Sequence, residues 1–270
     1  SVGRYGASDV FSALRARKEN EPDIAAKWLT EARHIDCTGP AYRDCAGTAF
    51  VTPHKAAALP DSLKGKNGSP REVLRHQLRQ HGNAVAFPIR SAKDNIIKNI
   101  RYRFTAPPGK TKIVGMLGCA DSDTDGTPRG YGYAGACLRA DTLVVTEGAI
   151  DTLIAELLVY PFPPYVAVGA VSASGLSLWA RWLAHKRFQG RVVFVYHRDQ
   201  AGRQATEQAR QTLLKAKIQH ELFDWSRFAH ELWDTSESDI TKANDLGDVA
   251  KLASWPAIES CFLHTLRGVQ

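Results

Sequence analysis

A chain of 270 residues, 44% hydrophobic and 23% charged, has a globular balance and room for one large domain or two of ordinary size. No run approaches the ~20 apolar residues that span a bilayer, and the five scattered cysteines form no C-x-x-C pair, which argues against a zinc ribbon or disulfide framework and for a reducing, cytoplasmic setting with no membrane partner. The net charge of +7 is concentrated: residues 71–110 hold nine Lys or Arg against Glu72 and Asp94. A solvated surface is the plain reading of such a run. Phosphate-backbone binding is favoured here because an acidic site follows closely. The opening Ser1-Val-Gly-Arg has neither a methionine nor a signal-peptide core, as in a trimmed chain.

In chain order, Ser8 is a plausible N-cap for a helix through Val10 and Leu14, and a second helix from about Asp23 to Arg33 follows the break at Glu21-Pro22. Residues 36–70, rich in Gly, Pro and Ala, resist assignment, and Arg71–Gln80 reads as a basic helix. A hairpin follows, with strands Ala84–Arg90 and Ile96–Arg103 about a polar turn. Alternation places Lys98, Ile100 and Tyr102 on one face, and Ile97, Asn99, Arg101 and Arg103 on the other. Residues 106–135 read as loop. Beyond Asp141, strands at 142–146, 165–168, 191–196 and about 219–223 alternate with helices near 149–159, 176–187 and 202–217, and helical sequence at about 247–265 closes the chain. This βαβ series implies an α/β fold with a mostly parallel sheet and flanking helices, preceded by a smaller basic α+β subdomain and N-terminal helices. The corresponding division is 1–70, 71–140, 141–250 and 251–270.

Two strand ends draw attention. Leu143-Val-Val-Thr-Glu147-Gly-Ala-Ile-Asp151 and Arg191-Val-Val-Phe-Val-Tyr-His197-Arg-Asp199-Gln-Ala-Gly202 are apolar runs that stop at polar residues and turn helical. A strand buried on both faces can present charge only where it emerges, and ligands of open α/β sheets bind at that edge. Glu147 and Asp199 therefore read as paired carboxylates for divalent cations, although acidic residues at helix starts are also ordinary dipole partners. Asp121-Ser-Asp123-Thr-Asp125-Gly126 opens like a calcium loop, but its twelfth position is Gly132, so it reads as a solvated turn. The serines at 172, 174 and 177 lack a G-x-S-x-G elbow, and Trp179 and Trp182 read as core.

With these residues in hand, the chain resembles the topoisomerase–primase (Toprim) family, and within it the catalytic core of DnaG-type bacterial, phage and plasmid primases. Phe87-Pro-Ile-Arg90 through Arg101-Tyr-Arg103 is similar to the family's F-P-I-R hairpin. Glu147-Gly-Ala-Ile-Asp151 is similar to E-G-x-x-D, and Val168-Gly-Ala170 to its small-residue strand end. His197-Arg-Asp199-Gln-Ala-Gly-Arg203 aligns with D-x-D-x-A-G-R, and Lys242-Ala-Asn-Asp245-Leu246 with D-x-N-D-L. The match spans roughly residues 80–250 in order. It implies a Rossmann-like Toprim domain and a nucleotidyltransferase that makes a short primer on a single-stranded DNA template from nucleoside triphosphates, with a replicative helicase as a further partner. By the same resemblance Glu147 and Asp199 are catalytic, and Glu147, Asp151, His197, Asp199 and Asp245 hold Mg2+ or Mn2+. Arg90, Lys98, Arg101, Arg103, Arg198 and Arg203 would contact nucleic acid or nucleotide.

The chain departs from that pattern in three ways: His197 replaces the first Asp of D-x-D, Lys242 replaces an acid in the closing motif, and a zinc ribbon is missing. Mg2+ prefers oxygen ligands, whereas imidazole suits transition cations. Three readings of His197 stay open: a different use of metal, reduced polymerase activity, or an introduced substitution. A Toprim-type nuclease and a degenerate module that binds nucleic acid or a replication partner are the alternatives to primase.

Overall fold

In the computed structural model the described residues are 23–38, 48–51, 82–105, 113–115, 121–132, 134–236 and 242–268, with 11, 12, 14, 42, 76 and 78–80. The helices expected from Ser8 and over Arg71–Gln80 lie largely outside them. The second expected helix is α1 (Ile24–Arg33), capped where Asp23 Oδ1 accepts the Ala26 N–H at 2.9 Å. It buries Ala25 and Leu29 and ends at His34, whose φ of 56° is left-handed.

Among the described residues nine strands form one continuous sheet. β1 (Ala49–Val51), β2 (Ala84–Ser91), β3 (Ile97–Phe104), β4 (Ile113–Gly115) and β5 (Arg129–Gly132) pair antiparallel. β6 (Thr142–Thr146), β7 (Tyr165–Ala170), β8 (Arg191–Val195) and β9 (His220–Leu222) pair parallel. The order is β4-β3-β2-β5-β7-β6-β8-β9, with β1 on β2. The α/β expectation thus holds for the second half, with its parallel strands and covering helices.

Residues 106–135, expected as loop, contribute β4 and β5, which corrects that reading. β5 is Arg-Gly-Tyr-Gly and lacks β-branched residues, so propensity could not reveal it. Its glycines are needed because β5 joins the two halves by pairing antiparallel with β7. A Cβ on Gly130 would stand 2.6 Å from the Gly169 carbonyl, and one on Gly132, already at φ +74°, 2.7 Å from that of Ala167. The loop at Asp121–Asp125 is a turn with an exposed tip at 124–126, as expected, and hydrogen bonds also clasp it to the sheet. Asp121 accepts from Ser172 and Ser174, Asp123 from Arg129, and Asp125 from Thr127 and Lys93.

The helices that follow are α2 (Ala149–Val159), α3 (Ala173–His185), α4 (Gln200–Lys215), α5 (Trp225–Ser236), α6 (Leu246–Leu252) and α7 (Trp255–Gly268). On one face of the sheet Val144, Val193 and Val195 pack with α2 and the aromatic group Phe223, Phe228 and Phe262. On the other, Leu143, Val145 and Phe194 pack with α3 and α4, including Trp179 and Trp182 edge to face at 5.9 Å. Each buried Leu, Val or Phe contributes roughly 1.5–3 kcal/mol, and this double burial explains the unbroken apolar strands. From β6 the chain crosses through α2 to β7 on one side. It then returns through α3 to β8 on the other and continues through α4 to β9. The direction of winding therefore reverses between β6 and β8, and their carboxyl ends flank the crevice where such sheets bind ligands.

Candidate active site

Glu147 follows β6, His197 follows β8 by one residue, and both border that crevice. The turn from β6 into α2 is held by hydroxyls: Thr146 and Thr152 Oγ1 lie 2.7 Å apart, and Thr152 Oγ1 donates to the Gly148 carbonyl at 2.6 Å. A Cβ on Gly148 would sit 2.7 Å from Asp151 Oδ2, so the glycine is what allows the Asp151 carboxylate to fold back over the turn.

Asp151, in the first turn of α2, is 5% exposed. Its Oδ1 accepts the Gly247 N–H at 3.0 Å, and its Oδ2 accepts from His197 Nε2 at 3.0 Å. Asp245 caps α6 by accepting the Asp248 N–H at 2.7 Å. Ligand atoms of Asp151, His197 and Asp245 all lie within 4.8 Å of one another. Glu147 Oε2 is buried without a hydrogen-bond partner, 4.0 Å from His197 Nδ1. It stands where a Cβ on Gly202 would be 3.0 Å away, so Gly202 makes room for both this carboxylate and the His197 backbone.

The electrostatics follow from crowding acids in partial burial. Burial raises the Glu147 pKa, and the charges of Asp199 and Asp151 add to it, against the pull of His197. Burial, with Asp151 alongside, pushes Asp245 up to about 6. Burial works against a charged His197, but the hydrogen bond and charge of Asp151, with Glu147 and Asp245, overcome it and lift the imidazole to about 9.

These acids line a cleft of about 290 Å³ together with four basic residues, Arg33 from α1, Arg101 and Arg103 from β3, and Lys251 from α6, the last paired with Asp248 at 2.7 Å. The two β3 arginines share a face, as alternation predicts, and their cross-strand partners Phe87 and Val85, beside them on β2, are buried. Arg101 donates to the Tyr131 hydroxyl at 3.0 Å and the Val171 carbonyl at 2.6 Å, which ties the hairpin to the end of β7. Burial lowers the pKa of Arg33 and of Arg103, and the charges of Asp151 and Asp245 partly offset it.

The other expected site residues lie elsewhere. Asp199 caps α4, its Oδ1 accepting the Gly202 N–H at 2.7 Å; it stands outside the Asp151–His197–Asp245 group and acts on Glu147 through charge. Lys98 pairs with Asp94 at 3.1 Å and Arg90 donates to the Asn95 carbonyl, both at the hairpin turn. Arg198 braces the loop before α6 through the Ala243 and Asn244 carbonyls, and Arg203 donates to the Arg198 carbonyl. Sequence reading missed Arg33 and Lys251. Arg33 did leave a trace, since it continues the buried Ala25–Leu29 stripe at i+4 spacing, where an apolar residue is expected. Lys251 left none, being an ordinary basic residue in a last helical turn.

No protein-family model and no curated protein matches this chain. Among solved structures it is similar to the primase fragment of the bacteriophage T7 primase-helicase protein, at 14% identity over 71% of this chain and 70% of that one, with a TM-score of 0.44. It is also similar to a chain in the structure of bacteriophage T7 lagging-strand DNA polymerase interacting with primase domains bound to an RNA/DNA hybrid and dTTP (16% identity, 70% and 86% covered, TM-score 0.43). A third is the Aquifex aeolicus primase comprising zinc-binding and RNA polymerase domains, at 16% identity over 82% of this chain and 56% of that one, TM-score 0.49. None of the three carries the functional reading, which rests on the residues of the cleft.

Proposed function

We propose that the cleft is the nucleotidyl-transfer centre of a Toprim-type DNA primase core, joining nucleotides on a single-stranded DNA template with release of pyrophosphate. One observation carries this reading: a carboxylate–imidazole cluster at the switch point of the sheet shares a single cleft with Arg33, Arg101, Arg103 and Lys251. An acidic pocket alone would suit a cation, and a basic one an anion. Both together suit a polyphosphate that brings its own divalent ion. The ordered motifs from Phe87 to Leu246 add the primase class to that chemistry.

The donor set fits a divalent cation, because two carboxylates and an imidazole converge and a further buried carboxylate oxygen, Glu147 Oε2, has no hydrogen-bond partner and lies 4.0 Å from His197 Nδ1. Asp151, His197 and Asp245 would hold the ion, which supplies charge neutralisation to phosphate oxygens. Arg33, Arg103 and Lys251 bind and orient the phosphates, and Arg101 fixes the hairpin that carries Arg103. Glu147, its pKa raised by burial, organises the cluster and is placed to take the proton of an attacking hydroxyl.

The test is template-dependent dinucleotide synthesis in Mg2+ and in Mn2+. Glu147→Gln should lower it by about a hundredfold or more while thermal unfolding stays near that of the parent. Synthesis intact in that variant rejects the assigned centre. Degradation of labelled DNA without added nucleotides, and no extension, would place the chemistry with Toprim nucleases instead. The non-catalytic alternative draws on the His197–Asp151 bond, which already neutralises one carboxylate. It is favoured if His197→Asp restores neither cation binding nor synthesis.

A further inference from the structure

The imidazole in the acidic cluster is ion-paired with Asp151, and its ring nitrogen, with oxygens of Asp151 and Asp245, is grouped closely enough to offer donors to one cation in place of the shared proton. His197 Nε2 and Asp151 Oδ2 are 3.0 Å apart. Two donors each about 2.1 Å from one ion stand roughly 3 Å apart when they bind side by side, so an ion can replace the shared proton with little movement. Asp151 is fixed from behind by the Gly247 N–H, and Asp245 by the Asp248 N–H, so the backbone orients each carboxylate through one oxygen. Such outer bonds are how proteins aim ligands. The orphan oxygen of Glu147 then gains a purpose. It lies 4.0 Å from His197 Nδ1, the nitrogen that a metal-bound histidine commonly turns toward a carboxylate.

The donor chemistry selects among ions. Mg2+ is hard, sheds water reluctantly and favours all-oxygen sites, whereas imidazole nitrogen raises affinity along the series from Mn2+ through Co2+, with Zn2+ also favoured. We propose that Asp151, His197 and Asp245 form a mixed carboxylate–imidazole site that takes Mn2+, Co2+ or Zn2+ in preference to Mg2+, with Glu147 as the positioning residue that orients the imidazole. The proposal deepens the reading of the cleft as a cation-dependent nucleotidyl-transfer centre and rests on it.

The experiment is calorimetric titration of the full chain with the chlorides of Mg2+, Mn2+, Co2+ and Zn2+, each alone, together with the visible spectrum of the Co2+ form. Co2+ should bind tighter than Mg2+ by about tenfold or more. His197→Asp should narrow that ratio by weakening Co2+ and strengthening Mg2+, and Glu147→Gln should weaken Co2+ while changing Mg2+ less. Equal affinities in the parent, or a ratio unchanged in His197→Asp, overturn the proposal. Should His197→Asp not fold, pulsed electron paramagnetic resonance of the parent with Mn2+ decides: imidazole nitrogen coupling supports the site, and its absence overturns it. Primer synthesis is read separately. If no cation supports synthesis, the nucleotidyl-transfer reading falls and the titrations still decide the preference. If Mg2+ binds as well as Co2+ and supports synthesis, the preference falls and that reading stands.

Discussion

The two halves of the sheet build the cleft in opposite ways. The parallel half, β6 to β9, places acids where strands end, held by short backbone bonds and glycines. The antiparallel half places arginines within a strand, on long arms that reach over the crevice from β3. An ion site demands donors fixed within tenths of an ångström, whereas a phosphate site tolerates a flexible cation at its rim. On the basic side Arg101 is itself anchored to Tyr131 and Val171, whereas on the acidic side backbone N–H groups hold the carboxylates, so substitutions should do different harm on the two sides.

The largest effect is expected at the seam. Gly169 pairs with Tyr131 of the antiparallel half and Thr146 of the parallel half, and a Cβ there would meet Thr152 Oγ1 at 1.8 Å. Thr152 would have to abandon its bonds to Thr146 and Gly148. Gly169→Ala should thus cost about 3 kcal/mol by urea unfolding and loosen the Glu147 turn as well. A change within ~0.5 kcal/mol would show that the turn absorbs the strain.

Next comes the basic wall. Arg103→Ala should raise the nucleotide KM by roughly tenfold, the scale of one lost charge-assisted hydrogen bond, and change kcat much less. A fall in kcat at constant KM would move Arg103 from binding to chemistry.

On the acidic side, pH separates the groups. His197 has a folded pKa of about 9, above the ~6.5 of a free histidine. Its contribution is therefore complete below about 6.5 and lost as pH rises through about 9. Asp245, at about 6, titrates below that window. The Tm advantage of the parent over His197→Gln should shrink between pH 6.5 and 9. An advantage that is flat with pH contradicts a charged His197.

The smallest effect is expected at Lys98. Its pair with Asp94 is about one-third exposed at each side chain, where such pairs are worth ~0–1 kcal/mol. Lys98→Ala should leave nucleotide KM unchanged. A tenfold rise would extend the phosphate path to the hairpin turn.

The order of β6 to β9, the α2–α4 helices and the position of Glu147 were legible because a strand buried on both faces must be apolar until it emerges, and its polar ends announce themselves. Asp151 and Asp245 were legible only through motif resemblance, since on the residues alone each could be an ordinary N-terminal acid. The hairpin face bearing Arg101 and Arg103 followed from period-2 alternation, although alternation also offered Lys98 with no means of telling rim from turn. β5 escaped because its glycines answer to the carbonyls of β7, a strand nearly forty residues away.

By itself the sequence determined the alternating parallel half, the carboxylates at its ends and a basic hairpin before it, because periodicity and strand-end polarity are local consequences of burial. Only the tertiary structure decided which of those charges meet. It joined the hairpin to the sheet through β5, brought Arg33 from α1 into the cleft, and left Asp199 as a helix cap. It also set His197 between Asp151 and Glu147. Those outcomes depend on winding direction and through-space pairing, and neither is written in the spacing of residues along the chain.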